Sequence, residues 1–589
     1  MEKAWKAGAF VMHFQPPPRV ARGAQDKGVG MKQRLTSGPA WLAEAVFYEI
    51  YPQSFRDANG DGIGDLPGII EKLDYLAELG VNALWLNPCF VSPFEDAGYD
   101  VADYYRVAPR YGTNADLKRL FRAAAARGIR VCLDLVPGHT SRQHPWFRQS
   151  GRAQKNRYSD WYIWTDDWLA PEGGGLRFIQ GAAERNGSYA VNFFASQPAL
   201  NYGFARPDPA CPWQLPTDHP SVRAVRAEIK KIIRFWLDAG AAGFRVDMAS
   251  SLVKNDPGHR RTIAFWRDVR AMLDRDYPDA ALIAEWGYAP EALRAGFHAD
   301  FLLHCGARAY TSLFRAEPER NIFNRAPAAA MYPYDTDHRP LAHSFFDRAG
   351  RGDITRFLST YEAQRRNAGR HGYLALPSGN HDMPRLRQGR SMADMAVAMA
   401  FLLTMPGVPF LYYGDEIGLR HQPRLPSKEG GYTRTGARTP MQWSRAANAG
   451  FSSAPADRLY LPVDPARDRP NVADQAARAG SLLRMVRQLI RLRKSLPALG
   501  ARGDFIPLYA RPRRYPFVYL RRRGGVTALV ALNPAARPAR IRLPVDLRGA
   551  ETLLARRAAV TPAGTRGILD MAGVSFLVAR LGPGAKRRT

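Results

Sequence analysis

One pattern dominates the chain. From Val46 onward, short runs rich in β-branched and aromatic residues alternate with segments whose apolar residues recur every three or four positions. Eight such runs can be counted: VFYEIYPQSF (46–55), ALWLNP (83–88), RVCLDLVP (130–137), GFRVD (243–247), LIAEW (282–286), DFLLH (300–304), LALPSGNHD (374–382) and VPFLYYGDE (408–416). Strands that alternate with helices pair in parallel, and eight of them predict an α/β fold, a (β/α)8 barrel. The helices between them are legible. Asn114 is placed to cap one whose Leu117, Leu120, Phe121 and Ala124 share a face, with Gly128 beyond its end. Ser221 opens another, with Val222, Val225, Ile229, Ile232, Ile233 and Trp236 as its stripe and Gly240 at its stop.

Two segments break the repeat. Residues 139–212, rich in Trp, Tyr, Pro and Gly, are too long for a βα loop and predict an inserted subdomain after the third strand. A Gly-, Arg- and Pro-rich stretch follows the eighth strand, from Arg420 to about Ala477. Beyond Arg502 the pattern changes to short alternating strands, FVYLRR, TALVALN, RIRLPV and VSFLVAR, which predict a C-terminal antiparallel β-sandwich. The expected division is a flexible tail over 1–38, barrel over 39–138 and 213–502, the insert over 139–212, and the sandwich over 503–589.

Composition excludes more than it identifies. The 589 residues carry 84 Lys and Arg against 54 Asp and Glu, a formal charge of +30 that reads as spread along the chain, so no specific nucleic-acid partner is expected. No run reaches the roughly 18–20 apolar residues of a membrane span, the longest, near Met399–Met405, being broken by Pro406. The apolar GAFVMHF near the N-terminus is shorter than a signal-peptide core, so a cytoplasmic protein without membrane contact is expected. Four cysteines, Cys89, Cys132, Cys211 and Cys305, are too few for a disulfide framework and are read as buried thiols.

In a (β/α)8 barrel, chemistry sits at the C-terminal ends of the strands. Three carboxylates stand there: Asp247 closing GFRVD, Glu285 near the end of LIAEW, and Asp382 ending SGNHD. Asp247 and Glu285 fall on adjacent strands, where the spacing of about 5–5.5 Å needed for retaining glycosidic cleavage is feasible.

The motifs FYEIYPQSF, DLVPGHTSRQHPWF, RYSDWYIW, QPALNYG, GFRVDMASSLVK, LIAEW, SGNHDMPRL, GVPFLYYGDEIGL and RTPMQW, in this order, make the chain resemble the α-amylase superfamily, glycoside hydrolase family 13, in its oligosaccharide-acting α-glucosidase and trehalose-synthase-like branch. The resemblance implies Asp247 as nucleophile, Glu285 as general acid and then base, and Asp382 as a third carboxylate that holds sugar hydroxyls. It implies that Arg245 orients Asp247 and keeps it ionised, and that His139 and His381 bond glucose hydroxyls. Asp96 and Tyr99 of FEDAGYD correspond to the terminal-glucose contact and the aromatic platform beneath that ring, and Arg438 to a sugar-binding arginine. Such a pocket accepts only a terminal sugar. Ser250 and Ser251 also stand where endo-amylases carry Lys and His, and Lys254 matches the oligosaccharide-acting branch.

The loop Asp57, Asn59, Asp61, Ile63, Asp65 spaces oxygen donors as a calcium loop does, without the closing glutamate, since position twelve is Gly68. Related glucosidases bind Ca²⁺ there, so a structural Ca²⁺ and no organic cofactor are expected. Two departures stand out: Gly138 replaces the asparagine of DxxxNH, and Ala199 the aspartate of QPDLN. Both lost groups support the amylase-type calcium site between barrel and insert, which is therefore expected to be absent. The expected activity is retaining hydrolysis of short α-glucosides through a glucosyl-enzyme; the alternative is a trehalose-synthase-like isomerase or transglycosylase using the same three carboxylates. The oligomeric state is open.

Overall fold

The computed structural model describes residues 38–169, 175–181, 183–301, 308–315, 343–369, 371–563 and 566–582. The expected tail up to residue 37, residues 302–304 of the sixth expected strand and Cys305 lie outside them.

Eight parallel strands close into a barrel: β1 (Phe47–Ile50), β2 (Ala83–Leu86), β3 (Arg130–Leu135), β4 (Gly243–Val246), β5 (Ala281–Ala284), β6 (Ala299–Phe301), β7 (Tyr373–Pro377) and β8 (Val408–Tyr412), each beside its neighbours in sequence, with β8 beside β1. Alternation along each strand sorts the side chains. Phe47, Ala83, Trp85, Cys132, Ile283, Phe301, Ala375 and Phe410 fill the barrel, while Tyr48, Leu84, Val131, Phe244 and Leu282 face the helical layer. Phe47 stacks on Phe410 at 4.2 Å, and Leu42, from a short turn before β1, joins the same cluster. Gly243 starts β4 at φ 145°, where a Cβ would come within 2.1 Å of the Ala281 oxygen. Only glycine admits β5 this closely.

Two helix starts differ from expectation by one or two residues. Thr113, not Asn114, caps the helix Asn114–Ala125, in a reciprocal box with Asp116, while Asn114 turns back to bond the backbone of Tyr105 and Val107. Helix Pro220–Asp238 is capped by His219, whose ring accepts from the Ser221 amide, and proline takes its first position.

The insert carries a three-stranded sheet, Trp164–Thr165, Ser188–Val191 and Arg177–Gln180, with the second strand in the middle. It is knit by aromatics: Phe147 packs against Tyr162, Trp164 and Tyr189. Helix Met392–Thr404 is buried on nearly every face. Among the described residues no helix is long and apolar enough to cross a membrane.

The C-terminal strands β9 (Asp504–Tyr509), β10 (Phe517–Arg523), β11 (Val526–Asn533), β12 (Ala539–Leu543), β13 (Glu551–Ala563) and β14 (Arg566–Arg580) form one antiparallel sheet. The first half of β14 pairs with β12 and the second with β11, while β13 pairs with both, its register slipping between Arg556 and Ala558. Val518, Leu529, Leu543, Leu569 and Leu577 form the core of this domain. The positive charge is concentrated here and not evenly spread: residues 503–589 hold only Asp504, Asp546, Glu551 and Asp570 as acids, against arginines on β10, β12, β13 and β14 and in the turns.

Two buried arginines secure the segment that leads into β8, one from within the barrel region and one from the C-terminal domain. Arg493, on helix Leu482–Ser495, donates to the carbonyls of Leu403, Met405 and Gly407, and Arg521 of β10 donates to those of Thr404, Gly500 and Asp504. Together they satisfy the carbonyls at the end of helix Met392–Thr404 and at the approach to β8, where cations are electrostatically favoured.

Candidate active site

Asp247 and Glu285 are the first residues beyond β4 and β5, and the register that sets Arg245 opposite Ile283 brings them side by side. Arg245, two residues before Asp247 and so on the same face, is fully buried between them. Its Nη1 lies 2.9 Å from Asp247 Oδ1 and 2.9 Å from Asp134 Oδ1, and its Nη2 lies 2.8 Å from Glu285 Oε2. One guanidinium thus holds the two carboxylates a few ångströms apart, on the scale of a retaining pair. Met248 donates its backbone N–H to Glu285 Oε2 at 3.1 Å, fixing the acid from the other strand.

Three carboxylates around one cation cannot all ionise freely. Burial pushes the proton affinity of Asp247 well up, the charges of Glu285 and Asp134 add to this, and Arg245 opposes it without winning. Arg245, expected to keep Asp247 ionised, pulls its proton affinity down, but by less than burial raises it. Asp247 therefore holds on to a proton more strongly than an isolated carboxylate would. Asp134 is deeper. It accepts from Trp85 Nε1 at 3.0 Å and from the Tyr99 hydroxyl at 2.8 Å, which fixes the Tyr99 ring. That ring stacks on His381 at 5.2 Å.

Asp382 arrives from the far side of the barrel, in the turn after β7. Burial alone would raise its pKa, but the cations beside it hold the carboxyl well below the usual range. Arg434 Nη1 donates to Oδ1 at 2.6 Å and Arg438 Nη2 at 3.1 Å. His381 Nε2 lies 3.4 Å from Oδ2, but burial drives that imidazole well below its ordinary pKa and keeps it neutral, so the arginines carry the effect. The other ring nitrogen of His381 contacts Glu49 Oε1 at 2.8 Å. Arg438 is fully buried, anchored on the His381 carbonyl, and meets the pocket through Asp382.

Arg434 reaches further. Its Nη2 lies 3.4 Å from Asp96 Oδ1, whose second oxygen accepts from Gln197 Nε2 at 2.8 Å. The pair Asp96–Arg434 therefore joins the loop after β2 to the segment after β8, beside Asp382. Glu429 secures that segment, with two contacts to Arg110 at 2.6 and 3.1 Å and one to the Tyr460 hydroxyl.

His139 is buried beside Tyr99, and both ring nitrogens are engaged: Nε2 with the Tyr99 carbonyl at 3.1 Å, Nδ1 with Asn192 Nδ2 at 3.2 Å. Asp96, Tyr99, His139, Arg245, Asp247, Glu285, His381, Asp382 and Arg438 are thus linked in one contact network. Residues 57–65 are not part of it. Their loop packs on the segment after β8, where Ser452 Oγ donates to Asp57. Asp57 also accepts the amides of Gly60 and Gly62, and Asp65 those of Ala58, Asn59 and Gly68. These are hard oxygen donors of the kind Ca²⁺ takes. Among the described residues, however, no three His, Cys, Asp or Glu side chains are grouped so as to hold a metal, and the loop's carboxylates are occupied by its own amides.

Four participants escaped the reading by motif: Asp134, Asn192, Gln197 and Arg434. Asp134 opens DLVPGH, Gln197 opens QPALN and Arg434 stands four residues before Arg438, so these three had a positional signal. Of the cysteines, Cys89 and Cys132 are buried, burial pushing the Cys89 thiol up to about 12, whereas Cys211 is partly exposed.

The profile described as alpha amylase, catalytic domain, matches residues 49–299 and 346–501. The trehalose synthase/amylase TreS of Mycobacterium tuberculosis is 33% identical over 506 residues, 80% of this chain and 78% of that protein. The oligo-1,6-glucosidase of Parageobacillus thermoglucosidasius is 30% identical over 555 residues, 86% and 92%. Among solved structures, the trehalulose synthase MutB of Pseudomonas mesoacidophila MX-45 superposes with a TM-score of 0.74 at 27% identity, covering 92% of this chain and all of that one.

Proposed function

The chain belongs to the alpha-amylase family, glycoside hydrolase family 13, and from that premise we propose that it is a retaining α-glucosidase-type hydrolase acting on the terminal glucose of short α-glucosides. The observation that carries this is the pair of opposed charge systems at the strand ends. Arg245 binds Asp247 and Glu285 on one wall, and Arg434 and Arg438 bind Asp382 on the other.

Asp247 attacks the anomeric carbon while Glu285 gives its proton to the departing glycosidic oxygen, leaving a glucosyl ester on Asp247. Glu285, now a carboxylate, takes a proton from water as its oxygen attacks the same carbon, and Asp247 leaves. The cycle needs one proton between the two acids, Asp247 entering as the carboxylate and Glu285 as the acid. Asp382 stays ionised between its arginines and faces the sugar hydroxyls and the positive charge that develops at the ring. The bridge between Asp96 and Arg434 supports terminal-sugar recognition, because a chain extended past the first glucose would have to break it. A structural Ca²⁺ in the 57–65 loop belongs to the proposal as a stabiliser away from bond cleavage.

A second reading, isomerisation or transfer, has its own support in the trehalose synthase and trehalulose synthase relatives. The two differ only in whether water or a retained sugar hydroxyl attacks the ester. NMR of products from maltose, isomaltose, sucrose and trehalose separates them. Glucose released first as the α-anomer is expected; conversion of maltose to trehalose, or growth of longer saccharides, would move the assignment to isomerase or transferase. No change in any of the four would overturn both.

A further inference from the structure

We propose that Asn192 is a positioning residue, an amide from the inserted subdomain that sets the conformation of the segment after Asp247 and through it the placement of Glu285. The inference rests on the roles given above to those two acids.

Asn192 follows the strand Ser188–Val191 directly, and its side chain enters a space that exists because residue 138 has none. A Cβ on Gly138 would come within 2.6 Å of Asn192 Nδ2. Gly138 is not among the residues with positive φ, so its backbone makes no demand for glycine; the neighbouring amide does. From that niche one side chain reaches three elements. Nδ2 approaches His139 Nδ1 at 3.2 Å and Met248 Sδ at 3.8 Å, and Oδ1 accepts from Lys254 Nζ at 3.3 Å.

Met248 makes this consequential. It stands next to Asp247 with φ at 42°, a left-handed conformation that costs a non-glycine residue about 1–2 kcal/mol and persists only where its surroundings enforce it. In that turn its N–H meets Glu285 Oε2, and its carbonyl accepts from the Ser251 amide at 3.0 Å and hydroxyl at 2.9 Å. Those contacts fix the backbone; the thioether is fixed from Asn192. The same amide N–H makes His139 Nδ1 an acceptor, so Nε2 carries the proton toward the Tyr99 carbonyl. Burial first, and then the Lys254 charge, push His139 down to about 4, and burial brings Lys254 to about 8. The imidazole is therefore neutral and held in one tautomer, with the ammonium resting on the Asn192 and Ser251 oxygens.

The test moves the amide. Asn192→Ala should lower kcat on the best α-glucoside at least tenfold with KM changed less than threefold and little change in Tm. Gly138→Asn alone should also lose activity, by crowding. The double variant Gly138→Asn with Asn192→Gly, which returns an amide from the opposite strand, should recover at least a third of the wild-type kcat. In ¹⁵N-labelled protein, the His139 signals should show the Nε2–H tautomer in the wild type and lose that single state in Asn192→Ala. A kcat within twofold of wild type in Asn192→Ala, or equal losses in kcat, KM and Tm without recovery in the double variant, would overturn the proposal. If the wild type itself turns over no α-glucoside, the functional reading falls instead, and an unchanged His139 tautomer in Asn192→Ala would then defeat the clamp on its own.

Discussion

Replacing Arg434 by methionine keeps most of the stem and removes two charged contacts, the 2.6 Å bond to Asp382 and the 3.4 Å contact to Asp96. Breaking a buried ion pair from one side costs about 3–5 kcal/mol. Arg438 remains on Asp382 and Gln197 on Asp96, so the low end, about 3 kcal/mol of stability, is expected. Asp382 is held below its unfolded pKa, so its contribution is full above about pH 4 and fades as pH falls below that value. The stability gap between wild type and variant should follow the same course, full at pH 7 and narrowing toward pH 3. Losing one charge-assisted bond to Asp382, worth about 1.5–3 kcal/mol, should lower kcat/KM on a disaccharide roughly 10- to 150-fold. With the bridge to Asp96 gone, the preference for maltose over maltotriose should weaken. Denaturation midpoints across pH and kcat/KM on both sugars read all of this. A variant with the wild-type sugar preference and a pH-independent stability gap would refute the reasoning, because the bridge would then neither select the sugar nor hold Asp382 ionised.

Asp247→Asn should reduce kcat by at least about 10⁴-fold while near-ultraviolet circular dichroism stays that of the wild type; a folded variant with substantial turnover would remove Asp247 from its role. Arg245→Met leaves Asp134, Asp247 and Glu285 without their shared cation, so the acid limb of the kcat/KM profile should move to higher pH; an unmoved limb means the guanidinium does not set the charge of the pair. If the 57–65 loop takes Ca²⁺, millimolar calcium should raise Tm by several degrees over chelator-treated protein, and Asp57→Asn should abolish the rise; identical Tm values mean that the loop is held by its own amides alone.

The barrel was legible because its strands are short apolar runs separated by helical segments, some with a clear stripe, and the pattern repeats eight times. The acids at the strand ends were legible for the same reason: once the topology is known, position alone marks Asp247 and Glu285. The role of Asp134 was not, although it opens the DLVPGH motif, since that role lies in what crosses the barrel to meet it: Trp85, Tyr99 and Arg245. The bridge from Asp96 to Arg434 joins residues from opposite ends of the catalytic region, a pairing no local pattern reports. Thr113 displaced Asn114 as a cap because both are good capping residues and only the partner, Asp116, distinguishes them. Strand β13 escaped because much of it is exposed and Ala- and Arg-rich, without the alternation that marks a half-buried strand. The accumulation of arginine after residue 502 was visible in the residues but lost in a whole-chain charge.

The clamp made by Arg493 and Arg521 also has a meaning in time. The strand that completes the barrel, β8, begins one residue after Gly407, whose carbonyl waits for Arg493, while Thr404 waits for Arg521. A chain leaving a ribosome at about 5–20 residues per second presents the second guanidinium, Arg521, roughly five to twenty-two seconds after that strand has been made. During the interval the end of a buried helix has carbonyls with no permanent donor, and the eighth strand enters the barrel from an unfinished corner. The basic sheet at the C-terminus thus brings the last of the donors that this corner of the barrel uses, long after β8 itself has been made.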